Sequence, residues 1–384
     1  MIRGRSGGRA AGSQGRASGA NAHESATGPV TAPSGRWLFL GHDGRLTAYG
    51  AASDGLARWT EHTTGTGRWH GPEVLEVPGW TGHVTMAQSQ EGYVHFAARV
   101  ADSSGAGQPR IVVATQFQTG RGLTPWHSLG VPRAADGESG DAVVHGPLTV
   151  VNPTLGSIHV LMSLRHGGIL RRSRNRDGNW GGWKAVTDRP YPGEPGAAMT
   201  EGGPLEILAP GPGGADRWVG TSKGRFEFAD RIGTPVVPGT VTACETGPKR
   251  ATYFWRYPGD GSLVAWRQQS HPAQDGGVLM PLGGAGGRGM PAVTRAVVGG
   301  YDCTVLAQLG LEGGVEVTAY VTENEGYGMW WAPLGGPDAQ SAQVVVDGTG
   351  RLVVAVLDKE SALHLTRQDT AQEGLAFGSW NRVA

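Results

Sequence analysis

Residues 329–336 read Met-Trp-Trp-Ala-Pro-Leu-Gly-Gly. The phrase has relatives: TPWHSLG around Trp126, GNWGGWKAV around Trp180 and Trp183, and GSWNRVA around Trp380. GVLMPLGG, ending at Gly284, is the same phrase with Leu279 in the tryptophan's place. FADRIG is a degenerate copy, with Ala229 in that place and Ile232-Gly233 standing for Leu-Gly. Counting Trp69, the landmarks return about every 52 residues, and self-similarity at such a period marks an array of equal structural units.

Two more columns keep the same beat. Leu56, Ile111, Ile169, Leu263, Val315 and Leu363 precede their landmarks and open the alternating runs LARWTE, IVVATQ, ILRRSR, LVAWRQ, VEVTAY and LHLTRQ. Earlier still come GRLTAY at Gly44, GYVHFA at Gly92, GSIHVL at Gly156 and GRLVVA at Gly350, each a turn residue followed by alternation. Ahead of these lie runs of small and β-branched residues: HVTMAQ, PLTVVN, TVTACE, AVTRAV and AQVVVD. Four strands per repeat predict an all-β chain, a seven-bladed β-propeller of four-stranded antiparallel blades. The small-residue strand suits the crowded axis, and the tryptophan-bearing strand suits the rim, where a flat ring covers an edge. Blade four, over roughly 195–233, is the weakest copy. Two stacked β-sandwiches also yield short strands and Gly turns, but they do not explain seven evenly spaced closing phrases.

Composition agrees. The chain has 384 residues, with 66 Gly, 24 Pro and a hydrophobic share of 38%, which suits short strands and tight turns better than helices. Basic and acidic residues number 33 each and no basic face is visible, so neither nucleic acid nor a membrane surface is expected as a partner. Only Lys184, Lys223, Lys249 and Lys359 are lysines, an arginine bias read as GC-rich bacterial coding rather than as a binding signal. Cys244 and Cys303 are too few for a disulfide framework or a four-ligand zinc site and are expected as free, largely buried thiols. Residues 1–35, with Arg3, Arg5, Arg9 and Arg16 against Glu24, read as a disordered Gly/Ser/Arg-rich tail or an over-extended start. The propeller is assigned to 36–384. No apolar signal segment or membrane span is seen, which makes the cytoplasm the default compartment.

The pattern Gly-x-Leu, then Leu-x-x-x-x-Gln, then Trp-x-x-Leu-Gly-Gly resembles the PLL-like β-propellers, seven-bladed bacterial lectins related to the tectonin-type propellers. The resemblance covers residues 36–384 and is poor in blade four. It implies sugars bound in shallow pockets repeated between blades, carried by aromatic, Arg and Gln side chains. Position by position it points to Trp266, Arg267 and Gln268. It then points to Thr366, Arg367 and Gln368, to Arg58, Trp59 and Glu61, and to Thr115 with Gln116. Blade three has Arg172 and Arg174 there, and blade six has Thr318 and Tyr320. Only three blades keep Gln in the last column, so at most three or four sites are equivalent. The chemistry fits a pyranose, whose C–H face stacks on an indole while Arg and Gln meet its hydroxyls. The same residues also suit plain packing: Gln and Arg bonded to neighbouring backbone, Trp wedged between blades. Packing is the first expectation for the closing tryptophans.

Two catalytic patterns are set aside. Gly220-Thr-Ser-Lys-Gly224 fits G-x-S-x-G but falls on a hairpin of blade four, not on a strand-to-helix turn. The G-x-G-x-x-G over 284–289 precedes a strand, not a helix. His95 and His159 share one repeat position, so their spacing is repeat history rather than a metal pair; no metal or cofactor is expected. His83, His145, Glu201, Glu245 and Asp347 are the residues expected near the axial funnel. Tyr253, Trp255 and Tyr257 alternate onto one strand face and are expected in the core.

Three functional readings follow. A non-catalytic, multivalent carbohydrate-binding propeller with a glycan or small-molecule ligand leads. The second is an enzyme of specialised metabolism, a lyase, hydrolase or cyclase working in the axial funnel. The third is a scaffold whose rim or tail docks a protein partner.

Overall fold

Each alternating run becomes one strand of a meander, and each meander is closed by its tryptophan phrase. The computed structural model describes residues 28–101, 109–132, 143–151, 156–165, 168–175, 177–269 and 276–383. Seven four-stranded antiparallel sheets occupy 38–76, 80–130, 143–187, 196–232, 242–283, 288–335 and 339–382. They are the blades of a seven-bladed β-propeller. The one helical element among the described residues is a 3₁₀ turn, Glu325–Tyr327. The degenerate phrase FADRIG lies in the fourth strand of blade four, Phe226–Ile232. Most of residues 1–35 lie outside the described residues, which begin at Gly28.

First strands of neighbouring blades touch one another around the axis. In blades two, three, five, six and seven they carry the small and β-branched runs, which suit strands converging on the axis, whereas blade one has Leu38-Phe39-Leu40 there. The turn glycines ahead of the second strands, Gly44, Gly92, Gly156 and Gly350, all have positive φ, which a hairpin turn of this kind demands. A β-bulge recurs at one repeat position. In blades two, three, five and six the register of the third and fourth strands shifts just after Ile111, Ile169, Leu263 and Val315. In three of these the pairing partner is the glycine of Leu-Gly: Gly130, Gly283 and Gly335, each at positive φ. The phrase therefore ends in a bulge that bends the outer strand and stops its pairing.

The tryptophan of that phrase is a staple to the preceding blade. Trp126 donates its indole N–H to Glu76 O (3.2 Å), and Trp183 donates to Leu129 O (3.1 Å). Trp331 donates to Leu282 O (2.8 Å), and Trp380 donates to Leu334 O (3.1 Å). The second glycine of Leu-Gly-Gly makes room for this ring. A Cβ on Gly284 would lie 2.8 Å from the Trp331 ring, and one on Gly336 would lie 2.7 Å from that of Trp380. Thus Leu-Gly-Gly ends one blade and receives the tryptophan of the next.

Blades four and five, whose phrases carry Ala229 and Leu279, are joined to one another by an arginine instead. Arg217 in blade four bonds Glu206 (2.9 Å), Asp230 and, across the junction, Gln268 of blade five (3.3 Å). The ring closes between blades seven and one. Arg367 bonds Glu61 (2.6 Å), Trp37 Nε1 donates to Ser341 (3.2 Å), and Val30 N donates to Ser361 (2.7 Å).

Candidate functional site

The polar column of the third strands lies at the blade junctions, and most of its heads already have partners. Arg58 bonds Glu73 in its own blade and the backbone oxygen of Arg121 in blade two. Gln116 accepts from the Tyr49 hydroxyl of blade one and donates to the same Arg121 oxygen (2.9 Å). Arg172 reaches Leu129 O, the oxygen that Trp183 also uses. Arg267 clasps Glu325 of blade six in bidentate fashion (2.5 and 3.0 Å). Gln368 bonds Leu352 N (3.3 Å) and Gly374 O (3.4 Å), while Gln268 is exposed. Thr318 and Tyr320 are buried.

The stacking role expected of Trp59 and Trp266 is corrected by their burial. Trp59 is 2% and Trp266 4% exposed, and the Arg217 guanidinium lies 5.3 Å over the Trp266 ring centroid. Neither indole presents a face to a pyranose. The closing tryptophans are half-buried, and Trp126, Trp183, Trp331 and Trp380 act as staples. Tyr253 and Trp255 are in the core, but Tyr257 is exposed at the strand's end.

Open space lies beside this column. Between blades two and three is a cleft of about 280 Å³, with Phe117, His95, His127, Arg174 and Trp180 in its wall. Between blades seven and one is a cleft of about 380 Å³, with Arg351, Arg367, Gln368, Asp369, Asn381 and Arg382. The two clefts are repeat-equivalent. Thr115 and Arg367 hold the same place in their third strands, and Phe117 and Asp369 follow two residues later. His127 and Asn381 each come just after a closing tryptophan, and the far wall is each time the loop between third and fourth strands of the next blade. The geometry repeats while the chemistry diverges, aromatic in one and charged in the other.

A third cleft, of about 650 Å³, separates blades one and two, and its volume is typical of small-molecule sites. Two hairpin tips face one another here, His42–Arg45 and Gln90–Tyr93, so close that a Cβ on Gly92 would lie 2.9 Å from His42 N. The loop after the third strand of blade two adds Phe117, Thr119 and Arg121. Phe117 is 50% exposed and meets Tyr93 edge-on, ring centroids 5.0 Å apart. Asp43 binds Arg45 (2.7 Å) and Thr119 (2.8 Å). Burial alone would raise its carboxyl, but the hydrogen bonds from Arg45 and Thr119 outweigh that and hold it below the usual carboxylate range. Arg58 and Gln116 lie behind this cleft and hold its loop through Arg121 O. Sequence reasoning named those braces and missed the cleft wall. Its signal was weak: an aromatic in each of GYVHFA and ATQFQTGR.

In the 2/3 cleft, burial lowers His95 to about 4, with the Arg174 charge adding to the effect; its Nδ1 lies 2.9 Å from the Thr115 hydroxyl. His95 is therefore a neutral hydrogen-bonding group at physiological pH.

The axial cavity measures about 260 Å³ and is lined by Met86, Val150, Met199, Val241, Cys244 and Glu245 among others. Glu245 accepts from Glu201 N (2.8 Å). Burial pushes the Cys244 thiol up to about 11, the wrong direction for a nucleophile. Asp347, expected at the funnel, is instead buried at a hairpin turn, where it binds Thr349 and Arg367. The His145 side chain lies outside the described residues. Cys244 and Cys303 are free thiols, and among the described residues no three His, Cys, Asp or Glu gather as a metal-ligand set. Among the same residues no helix is long and apolar enough to cross a membrane.

No family model matches the chain, and no curated protein matches it by sequence. Solved structures do. The BP39L lectin from Burkholderia pseudomallei superposes with a TM-score of 0.66 at 14% identity, over 94% of this chain and 100% of that one. The chain is similar in fold to a propeller lectin. A triple arginine-to-alanine mutant of AofleA from Arthrobotrys oligospora gives 0.51 at 11% identity, covering 78% and 86% of the two chains. The Hadza microbial sialidase Hz136 gives 0.50 at 10% identity, covering 89% of this chain and 66% of that one. At such identities the likeness is one of fold, and a propeller fold hosts both binding and catalysis.

Proposed function

We propose that the protein is a non-catalytic, multivalent carbohydrate-binding propeller of the PLL-like kind, with its sites in the clefts between blades. The observation that carries this reading is the pair of repeat-equivalent clefts at the 7/1 and 2/3 junctions, with a larger cleft between them at 1/2. Between them they have what a sugar needs. Phe117 and Trp180 offer ring surface, and Asp369, Asn381 and Arg382 offer donors and acceptors for hydroxyls. The likeness in fold to BP39L, a lectin, supports the same reading.

Each cleft is shallow, so each binds weakly, and three on adjacent junctions gain avidity on a surface that displays many copies of one glycan. Of the residues first marked by resemblance, Arg367 and Gln368 line the 7/1 cleft but are already bonded, and they are assigned to positioning. Arg58, Gln116 and Arg267 are assigned to positioning too. Trp59, Trp266 and the exposed Gln268 are given no contact role. A glycan array probed with the whole chain tests the proposal. Phe117→Ala, which touches both the 1/2 and 2/3 clefts, should lower retention of any glycan that the wild type holds. Unchanged retention would remove the 1/2 and 2/3 clefts as the site.

A further inference from the structure

The doubled tryptophan of MWWAPLGG does two jobs. Met329 and Trp331 turn inward against Met280, Leu282 and Tyr320, and Trp331 makes the staple to Leu282 O. Trp330, between them, points out and is 80% exposed; Tyr327, three residues earlier, is 77% exposed. Trp330 lies in none of the hydrophobic core clusters, so packing of blade six does not account for it.

The loop that carries both rings is held at each end. At its start, the bidentate clasp of Arg267 on Glu325 is joined by a bond from Arg267 to Glu323 O (3.1 Å), and Glu323 is paired with Arg250. A 3₁₀ turn follows, closed by Gly328 N donating to Glu325 O (3.2 Å). Gly328 has φ 94°, and a Cβ there would lie 3.2 Å from the Trp330 ring, so the indole rests against the glycine. At its end the loop is fixed by the Trp331 staple. A ring exposed on an anchored loop loses little freedom when a ligand stacks on it, which favours binding.

We infer that Trp330, with Tyr327, is a stacking platform for the C–H face of a neutral pyranose, separate from the inter-blade clefts. Carbohydrate fits better than a charged partner because the neighbouring ions cancel: Arg267 against Glu325, and Arg250 against Glu323. Between the two rings lie Gly328 and the inward-turned Met329, so both exposed rings are carried on one short anchored loop. The inference rests on the carbohydrate-binding reading and gives it a rim site that no repeat column marks. Arg267 acts here as a positioning residue through Glu325.

Fluorine NMR of the whole chain labelled with 5-fluorotryptophan tests it, with the Trp330 resonance assigned by its loss in Trp330→Phe. Methyl α-mannoside, methyl β-galactoside and methyl α-fucoside are titrated separately. The expected result is a saturable shift of the Trp330 resonance with at least one sugar, weakened about tenfold by Tyr327→Ala, the loss of one stacking ring. Arg267→Gln should also weaken it while leaving the shift of Trp180, in the 2/3 cleft, unchanged. A sugar that moves Trp180 and leaves Trp330 still would overturn the platform and keep the clefts. If no sugar moves any tryptophan resonance, the platform and the carbohydrate reading fall together.

Discussion

Ring closure between blades seven and one depends on a buried cation, and Arg367→Met should show how strongly. The Arg367 guanidinium bonds Glu61 at 2.6 Å and Asp347 at 3.2 Å; both carboxylates have fully buried side chains, and that of Arg367 is 17% exposed. Methionine keeps most of the aliphatic stem and removes the charge. Two buried carboxylates then lose their counter-ion, although Glu61 keeps bonds from Leu46 N and Gly65 N, and Asp347 keeps Thr349 and Arg351 N. Removing one partner of a buried ion pair costs about 3–5 kcal/mol, and the retained backbone bonds place this case at about 3. The assay is chemical denaturation followed by tryptophan fluorescence, comparing midpoints at unchanged m-value. Adding Glu61→Gln should recover about half of the loss, because the largest uncompensated charge goes with it. A midpoint within about 0.5 kcal/mol of wild type for Arg367→Met, or no recovery in the double variant, would refute the claim that this pair closes the ring.

Other outcomes follow from the same structure. Trp331→Phe keeps the ring but loses the bond to Leu282 O and should cost about 1 kcal/mol in the same assay. Gly336→Ala sets a Cβ 2.7 Å from the Trp380 ring at φ 97° and should cost about 2–4 kcal/mol, more than an alanine at the open Gly350. His95 and His159 are both lowered to about 4, chiefly by burial, so the unfolded chain takes up their protons first. Their contribution is complete above pH 6.5 and is lost as pH falls from there towards about 4, at about 1.4 kcal/mol per pH unit for each. His95→Gln should flatten that slope in a pH series of denaturation midpoints, and an unchanged slope would contradict the burial argument.

The fold was legible because one period governs the chain. Landmarks as different as Trp183, Ala229 and Leu279 lie in the fourth strands or just ahead of them, since what repeats is the turn that ends a blade. Even blade four obeyed its spacing. The binding surface was less legible for a geometric reason. A column such as Trp-Arg-Gln lies within third strands, where indoles pack inward and polar heads reach the next blade's carbonyls and carboxylates. Trp59 and Trp266 thereby become core, and Arg58 and Gln116 become braces. The cleft walls come instead from turns and loops of two different blades, as where His42–Arg45 faces Gln90–Tyr93. The period places such residues at the junctions, but it does not fix their chemistry, which changes from blade to blade. Trp330 was legible as an oddity, a second tryptophan where the repeat needs one, but its outward direction depends on the strand alternation around it.

The central claim, carbohydrate recognition in clefts at adjacent blade junctions, is tested most directly by a glycan array run with the wild-type chain beside Phe117→Ala and Asn381→Ala. The account predicts selective retention of a small set of glycans, lowered in both variants and further in the double variant because avidity multiplies the weak sites. A folded wild-type chain that retains no glycan, or variants that bind as it does, would contradict it.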